Sequence, residues 1–589
     1  MTIKSPLLQK NGFWAHLGDK RPFWYQNAEG MVDPMGVVLP MARALQAWGS
    51  HPAEFYAASM QMLEDITELS QNAWRRSLGM SAEALLEPAD FDRRFNDAAW
   101  RDDPFFRNLM EQYLYLSLAF ERIIAESPAM DHADRRKAAF WFRKYINALA
   151  PTNFLQTNPR AMKLAIESGG KSLLKGLELF LTDLQTRRLP LSDLSTYKVG
   201  KELAQTPGAV VYRNELVEVL HYTATTAQQR ATPIVLITPW INKYYIVDLT
   251  PQLSLVKHLL DDGFDVYVTS WRNPGADMAE TTMDDYLEQG ISATIDTAIA
   301  LSGSPEVHAA GYCIGGAALA MWMAIENARA KHEKRSVRVP HWTILATLVD
   351  YHYPGHIEVF IDPPSVDYLS DLVTKVGYLD GKSMSAAFRL LRSNNLIWEV
   401  AVRRYLYGQT GKPNEVLYWN MDSTRLPAAM YTWYLRELYL NNRLIVPNSL
   451  SLCGTPIDLG KIVQPMYSVG AKDDHITPWR SVAHINRLVP APKRGVLSSS
   501  GHILGIINPP GSESKRSYRV GDIETMDNVA DWEARSEERA GSWWPDWFAW
   551  LHQRTGPLVP AKPLTNKAYP KICAAPGTYV RATADHSAA

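Results

Sequence analysis

The chain has 589 residues, a formal net charge of -1 and 46% hydrophobic residues. This length exceeds that of one ordinary domain, and the hydrophobic fraction permits a large buried core. The near-neutral charge gives no electrostatic case for nucleic-acid binding, and three cysteines are too few for a disulfide framework, which fits a reducing cytosol.

The N-terminal part of the chain is predicted to be mostly helical. Apolar residues recur at helical spacing in 41–63, 104–124 and 135–148, and Pro151 and the glycine pair at 169–170 interrupt the pattern. No catalytic set of residues occurs there. We therefore predict a helical N-terminal domain over residues 1–200 with a supporting or oligomerising role.

A different pattern begins near residue 208. Two segments resemble an antiparallel start, and short apolar runs then alternate with helical segments such as 315–330, as expected for strands buried on both faces of a largely parallel sheet. The predicted strands are 209–213, 216–222, 233–239, 264–270, 307–310, 344–349, 466–469 and 495–498. Residues 201–589 are thus predicted to form an α/β catalytic domain, with an inserted cap at about 350–446.

The pentapeptide GYCIG at 311–315 has the spacing of a nucleophile elbow, with Cys313 at the position of the nucleophile. Flanking glycines permit a sharp strand-to-helix turn, and a helix N-terminus favours the thiolate. The N–H of Ile314 is the predicted first oxyanion donor, and that of Ile241, after the first core strand, is the second. Cys453 and Cys573 lack a glycine elbow and are predicted to be structural or incidental.

An acid and a base should follow the nucleophile along the chain. Asp474 lies in a polar turn after one predicted strand, and His502 lies in a Gly-containing loop after the next. Three other residues remain open as alternatives, because two flank Asp474 and one ends a strand: Asp473, His475 and Asp350. The CxxC, HExxH and GxxxxGK[ST] patterns are absent, so we expect no metal and no cofactor.

Several longer motifs are similar to those of one known family. The chain resembles a polyhydroxyalkanoate synthase of the single-subunit class, from about residue 90 to its C-terminus. The motifs that carry the resemblance are DRRFNDAAW at 92–100, APTNFLQTNP at 150–159, PWINKYYIVDL at 239–249, SWRNP at 270–274, GYCIGG at 311–316, YWNMDSTRLP at 418–427, DDHITPW at 473–479 and SGHILG at 500–505.

The resemblance implies an α/β-hydrolase fold with a mobile cap and a catalytic triad of Cys313, Asp474 and His502. It implies that (R)-3-hydroxyacyl-CoA is polymerised into a polyester with release of CoA, the CoA thioester being the substrate rather than a cofactor. It further implies a cytoplasmic homodimer on the surface of the polymer granule, with granule-associated proteins as candidate partners. The N-terminal domain would then serve in dimerisation or granule association. Neither nucleic acid nor a membrane span is expected.

Two departures from the family pattern concern the substrate pocket. Trp240 stands where many short-chain enzymes have a cysteine, and the segment RSNNLIW at 392–398 replaces the more usual RPNDLIW. Two other functions remain open at this point. One is a depolymerase or thioesterase of the same fold, although such hydrolases usually carry serine, and the other is a non-catalytic granule-associated protein.

Overall fold

The structure is a computed structural model that describes residues 33, 35–89, 92–186, 189–193, 195–511, 516–523 and 529–582. Residues 1–32 of the predicted N-terminal domain lie outside this set. The chain divides into two compact units, one of Met1–Asp193 with Ala387–Pro413 and one of Leu194–Ala386 with Asn414–Ala589. Residues 387–413, which lie within the predicted cap insertion, therefore belong to the first unit.

The first unit is helical. The predicted helix over 41–63 is two helices in the structure, because Pro52 lacks an N–H and begins a new helix after a break at Ser50 and His51. A cluster of buried residues in this unit contains Phe95, Trp100 and Leu114. The longer helices are α1 (Leu39–Gly49), α2 (Pro52–Ser77), α3 (Pro104–Ala125), α4 (His132–Ala148), α5 (Pro159–Glu167) and α6 (Lys171–Thr186).

A buried ion pair joins α6 to the second segment of the first unit. Nε and Nη2 of Arg404 each donate to the Asp183 carboxylate over 2.7 Å. Gly176 allows the close approach of the two backbones, since a Cβ at this position would lie 2.0 Å from the carbonyl oxygen of Tyr405. The sequence pattern of either segment alone does not reveal this pairing.

The second unit is built on one sheet of eleven strands. They are β1 (Gly208–Arg213), β2 (Val217–Tyr222), β3 (Ile234–Ile237), β4 (Val266–Trp271), β5 (His308–Tyr312), β6 (Trp342–Leu345), β7 (Met466–Ala471), β8 (Lys493–Ser498), β9 (Ser517–Ile523), β10 (Glu537–Ala540) and β11 (Cys573–Ala574). Their order across the sheet is β10-β9-β8-β7-β6-β5-β3-β4-β2-β1-β11.

The six central strands, β4-β3-β5-β6-β7-β8, are parallel, and the outer strands on both sides are antiparallel. Every residue of β3, β4, β5, β6 and β7 is buried, because helices cover both faces of the sheet. The predicted α/β fold after a mostly helical region is confirmed. The strand predicted over 344–349 instead ends at Leu345, since Ala346 has a φ of 46° that ends the extended backbone.

The helices of the second unit flank the sheet or lie between β6 and β7. The chain between β6 and β7 contains four of the longer helices, Pro363–Val376, Gly381–Leu391, Glu415–Met421 and Ala428–Trp433, and a π-helical turn, Tyr434–Leu440, follows the last of them. The longer helices of this unit are α7 (Leu255–Asp261), α8 (Ala293–Ser302), α9 (Ile314–Glu333), α10 (Pro363–Val376), α11 (Gly381–Leu391, which crosses into the first unit), α12 (Glu415–Met421), α13 (Ala428–Trp433), α14 (Val529–Arg535) and α15 (Trp544–His552). Three two-stranded pairs complete the unit: Gln228–Arg230 with Leu558–Pro560, Tyr378–Leu379 with Leu426–Pro427, and Ser451–Leu452 with Thr455–Pro456.

Candidate active site

Cys313 occupies a strained turn between β5 and α9. Its φ of 54° and ψ of -123° lie in a region that side chains other than glycine rarely adopt. Its N–H donates to the Leu345 carbonyl over 2.9 Å, which ties the turn to β6. A Cβ at Gly315 would lie 2.5 Å from the Ile237 carbonyl oxygen, so the helix can approach β3 this closely only with glycine there.

Asp474 and His502 meet beside this turn, at the carboxyl ends of β7 and β8. Nδ1–H of His502 donates to Oδ2 of Asp474 over 2.7 Å, and both side chains are buried. Oδ1 of Asp474 accepts from the backbone N–H groups of Ile476 and Thr477, both over 2.8 Å. With Nδ1 committed to Asp474, Nε2 is the atom that can exchange a proton with the Cys313 thiol.

The neighbouring charges shift the pKa values of His502 and Asp474 in opposite directions. Burial lowers the pKa of His502, but the Asp474 carboxylate and the charge and hydrogen bond of Cys313 outweigh burial and hold it well above its usual range. Burial raises the pKa of Asp474, but His502 and the bonds from Thr477 outweigh it, so the net shift is downward. Both shifts favour a protonated His502 paired with an ionised Asp474.

The two predicted oxyanion donors lie on separate elements. Ile314 is the first residue of α9, where an N–H has no partner within the helix. Ile241 lies in the loop after β3, and its carbonyl accepts the N–H of Thr424 over 3.3 Å. This bond fixes the orientation of the loop that carries Ile241.

The loop after β3 is held by the segment that begins at α12. Nε1–H of Trp419 donates to the Lys243 carbonyl over 2.7 Å, and the Lys243 ammonium pairs with Asp422 over 2.7 Å. Tyr245 also donates its hydroxyl to Asp422. The motifs PWINKYY and YWNMD, which are far apart in sequence, are thus partners in the structure.

The three alternative residues occupy other positions. Asp473 is exposed, and His475, which is half-buried, has its ring centroid 6.3 Å from that of His356. Asp350 pairs with Nδ1 of His484 over 2.8 Å rather than with His502. Although burial raises the pKa of Asp350, its hydrogen bonds, above all that from His484, lower it to about 2.

The other two cysteines lie in different surroundings. Burial and the nearby acidic groups Asp284 and Glu288 raise the pKa of Cys453 to about 12, which disfavours a thiolate. Cys573 lies in β11, where it pairs with Val210, and burial also raises the pKa of its thiol. Only Cys313, of the three, stands on an elbow next to a histidine.

Comparison with known proteins supplies the family. A model described as the N-terminus of poly-beta-hydroxybutyrate polymerase (PhaC) matches residues 91–259, and one described as the alpha/beta hydrolase fold matches residues 233–509. The poly(3-hydroxyalkanoate) polymerase subunit PhaC of Cupriavidus necator is 37% identical over 95% of this chain and 94% of its own. The poly(3-hydroxyalkanoate) polymerase of Methylorubrum extorquens is 34% identical over 94% and 91%.

The chain belongs to the poly(3-hydroxyalkanoate) polymerase family. The resemblance that its motifs carry is thereby confirmed, as is its classification as an enzyme, an acyltransferase-type synthase with an α/β-hydrolase domain. Among the described residues, no helix combines the length and the hydropathy that a membrane crossing requires.

One of the two departures from the polymerase pattern is explained by core packing. The ring of Trp240 is buried against Tyr286 and Trp271, at centroid distances of 4.4 and 5.3 Å. The segment at 392–398 lies in the first unit and contains a π-helical turn, Asn394–Trp398.

Two residues of this polymerase site are not predicted from the sequence, although they lie inside its motifs. The Thr477 hydroxyl donates to Oδ2 of Asp474 over 2.6 Å and lies 3.1 Å from Nδ1 of His502. The Tyr312 hydroxyl donates to the His502 carbonyl over 2.8 Å and so ties the elbow to the histidine loop. Their places in DDHITPW and GYCIGG are the only sequence signals for either.

Proposed function

We propose that this polymerase converts (R)-3-hydroxyacyl-CoA into a polyester through an acyl thioester on Cys313. The observation that carries the proposal is the 2.7 Å bond between Asp474 and His502 beside a cysteine on a nucleophile elbow. Membership of the polymerase family supports this substrate class. Sulfur suits this chemistry, because the thiolate is a strong nucleophile and exchange between thioesters is nearly isoenergetic.

In the first step, His502 takes the proton of Cys313 and the thiolate attacks the thioester carbonyl. The N–H groups of Ile314 and Ile241 stabilise the negative charge on the carbonyl oxygen of the tetrahedral intermediate. The bond to the CoA sulfur breaks, and His502 returns its proton to that sulfur. Asp474 holds the imidazole in the required tautomer and stabilises its positive charge.

In the second step, a 3-hydroxyl attacks an acyl thioester and an ester bond forms. His502, assisted by Asp474, takes the proton from this hydroxyl, and the thiolate of the cleaved thioester leaves. Water must be kept out, because hydrolysis of the Cys313 thioester would release a free hydroxy acid and end the chain. We further infer from the resemblance that the active form is a cytoplasmic homodimer on the polymer granule.

The decisive experiment supplies purified protein with (R)-3-hydroxybutyryl-CoA and follows free thiol and insoluble polymer. Cys313→Ala should lower CoA release by about a thousand-fold or more, the scale on which nucleophile removal acts in triad enzymes. Cys453→Ala is the matched control and should retain activity. Substantial turnover in Cys313→Ala would contradict the mechanism, and free hydroxy acid in place of polymer would indicate a hydrolase.

A further inference from the structure

Three tyrosines form a cluster between the end of β6 and the turn after α13. Tyr351 follows β6, and Tyr434 and Tyr439 lie in the π-helical turn Tyr434–Leu440. The hydroxyl oxygens of Tyr351 and Tyr434 are 3.1 Å apart. The ring centroid of Tyr439 lies 4.7 Å from that of Tyr351 and 5.4 Å from that of Tyr434. We refer to these three residues as the tyrosine cluster.

The tyrosine cluster lies at the edge of the sheet that carries Cys313. Tyr351 follows β6, and the carbonyl of Leu345 at the end of β6 accepts the N–H of Cys313 over 2.9 Å. Burial is the main cause that raises the pKa of each of the three phenols, and a negative charge on Cys313 raises each pKa further. The hydroxyls therefore stay protonated beside a Cys313 thiolate. Groups in this state donate hydrogen bonds but cannot act as bases, so their role differs from that of His502.

Hydrogen bonds to the backbone and to charged groups hold the cluster in place. Oδ1 of Asn442 accepts the N–H of Tyr351 over 2.8 Å, and Nδ2 of Asn442 donates to Asp350 over 2.8 Å. Asp350 is in turn fixed by its bond to His484. A set of donors that is held in this way can recognise a substrate group without losing entropy to order itself.

The proposed reaction leaves one polar group of the substrate without a partner during acylation. The backbone N–H groups of Ile314 and Ile241 donate to the carbonyl oxygen, and His502 gives its proton to the sulfur. The 3-hydroxyl remains, and only the carbonyl, α and β carbons separate it from the sulfur of the thioester. It therefore falls close to Cys313, at the edge of the sheet where the tyrosine cluster also lies. Phenol hydroxyls suit such a partner because they both donate and accept.

We propose that the tyrosine cluster binds the 3-hydroxyl of the acyl group and thereby selects 3-hydroxyacyl over unsubstituted acyl thioesters. The inference rests on the proposed function, in which Cys313 takes the acyl group. A site with buried hydrogen-bonding groups discriminates strongly against an analogue that lacks the matching hydroxyl, because its own groups then lose their partner.

The test compares single-turnover acylation by (R)-3-hydroxybutyryl-CoA and by butyryl-CoA. The burst of CoA release measures acylation alone, so the missing hydroxyl of butyryl-CoA affects recognition and not the later ester-forming step. We expect the wild-type protein to prefer the hydroxylated substrate by about a hundred-fold or more. Tyr351→Phe and Tyr434→Phe should each lower this preference by about ten-fold, through a slower burst with the hydroxylated substrate only.

Tyr431→Phe is the matched control, because Tyr431 is a buried tyrosine of α13 whose pKa is raised by burial alone. It should leave the preference unchanged. If Tyr351→Phe and Tyr434→Phe left the preference unchanged, or lowered the rate equally with both substrates, this inference would be overturned. The proposed function would still stand. Absence of a burst with both substrates in the wild-type protein would overturn the proposed function, and this inference with it.

Discussion

At the scale of single residues, the site depends on how the Asp474 carboxylate is bonded. Oδ2 accepts both from Thr477 and from His502, and Oδ1 accepts two backbone N–H groups. These bonds lower the pKa of Asp474, which therefore stabilises the fold above its unfolded pKa of 3.8. This contribution is lost as the pH falls through the folded pKa.

Thr477→Val should weaken both the stability and the chemistry of the site. The loss of one hydrogen bond to a charged group should lower the free energy of unfolding by about 2 kcal/mol at neutral pH. Because the pKa of Asp474 then rises, acid unfolding should begin at a higher pH than in the wild-type protein. Thr477→Ser, which keeps the hydroxyl, is the control. Denaturant titrations from neutral pH down to below the unfolded pKa of 3.8 measure the effect, because the folded pKa of Asp474 lies below that value. If Thr477→Val began to unfold in acid at the same pH as the wild-type protein, this role of Thr477 would be contradicted.

Gly315→Ala tests the close packing of the elbow on β3. The new Cβ would lie 2.5 Å from the carbonyl oxygen of Ile237 and 2.8 Å from that of Thr238, and neither backbone atom can rotate away. We expect a loss of about 1–3 kcal/mol in stability and a large loss of CoA release, because the elbow must shift. Gly49→Ala is the control, since nothing lies within 4 Å of its Cβ. Wild-type activity in Gly315→Ala would show that the turn tolerates a side chain.

Much of the site follows from sequence at this scale, because its signals are local. The spacing of the glycines around Cys313 predicts the turn, and chain order predicts Asp474 and His502, which the structure brings together. Thr477 and the tyrosine cluster could not be predicted in the same way. Their roles depend on which hydroxyls the loops bring close to one another, and no spacing rule encodes that.

At the scale of elements, strands are predicted better than helix partners. The buried apolar runs predict β3, β4, β5, β7 and β8 to within a few residues, because complete burial on both faces requires such runs. The sequence does not predict the antiparallel strands β9, β10 and β11, since their residues are only partly buried and lack a continuous apolar run. Residues 387–413 belong to the first unit through contacts between distant segments, among them the Asp183–Arg404 ion pair and the close approach of Gly176 to Tyr405, which no local pattern predicts.

Arg404→Leu tests whether this ion pair holds the segment to α6. Removing the guanidinium leaves the Asp183 carboxylate buried without its main partner, although the Tyr405 hydroxyl still donates to it over 3.1 Å. We expect a loss of about 3–5 kcal/mol in the stability of the first unit, measured by denaturant unfolding. The double variant Asp183→Leu with Arg404→Leu should recover part of that loss, because no charge then remains buried. A double variant as unstable as Arg404→Leu would contradict the account.

At the scale of the whole second unit, the C-terminal residues complete one edge of the sheet. β11 pairs with β1, which would otherwise expose a row of unpaired backbone groups. The fully buried Glu218 of β2 holds the chain that follows β11. Its carboxylate accepts the N–H and the hydroxyl of Thr578 over 3.0 and 2.7 Å, and the N–H of Tyr579 over 3.1 Å.

Glu218→Gln should release the C-terminal segment without removing much volume. The amide keeps one acceptor oxygen but loses the charge that Arg213 and the two N–H groups share, and charge-assisted bonds are roughly twice as strong as neutral ones. We expect a loss of about 2–3 kcal/mol in the free energy of unfolding and faster amide exchange in β1 and β11, with the Cys313 site unaltered because it lies at the centre of the sheet. Glu537→Gln, on an exposed residue of the opposite edge strand, is the control. If amide exchange in β1 stayed at the wild-type rate, Glu218 would not be the residue that secures this edge.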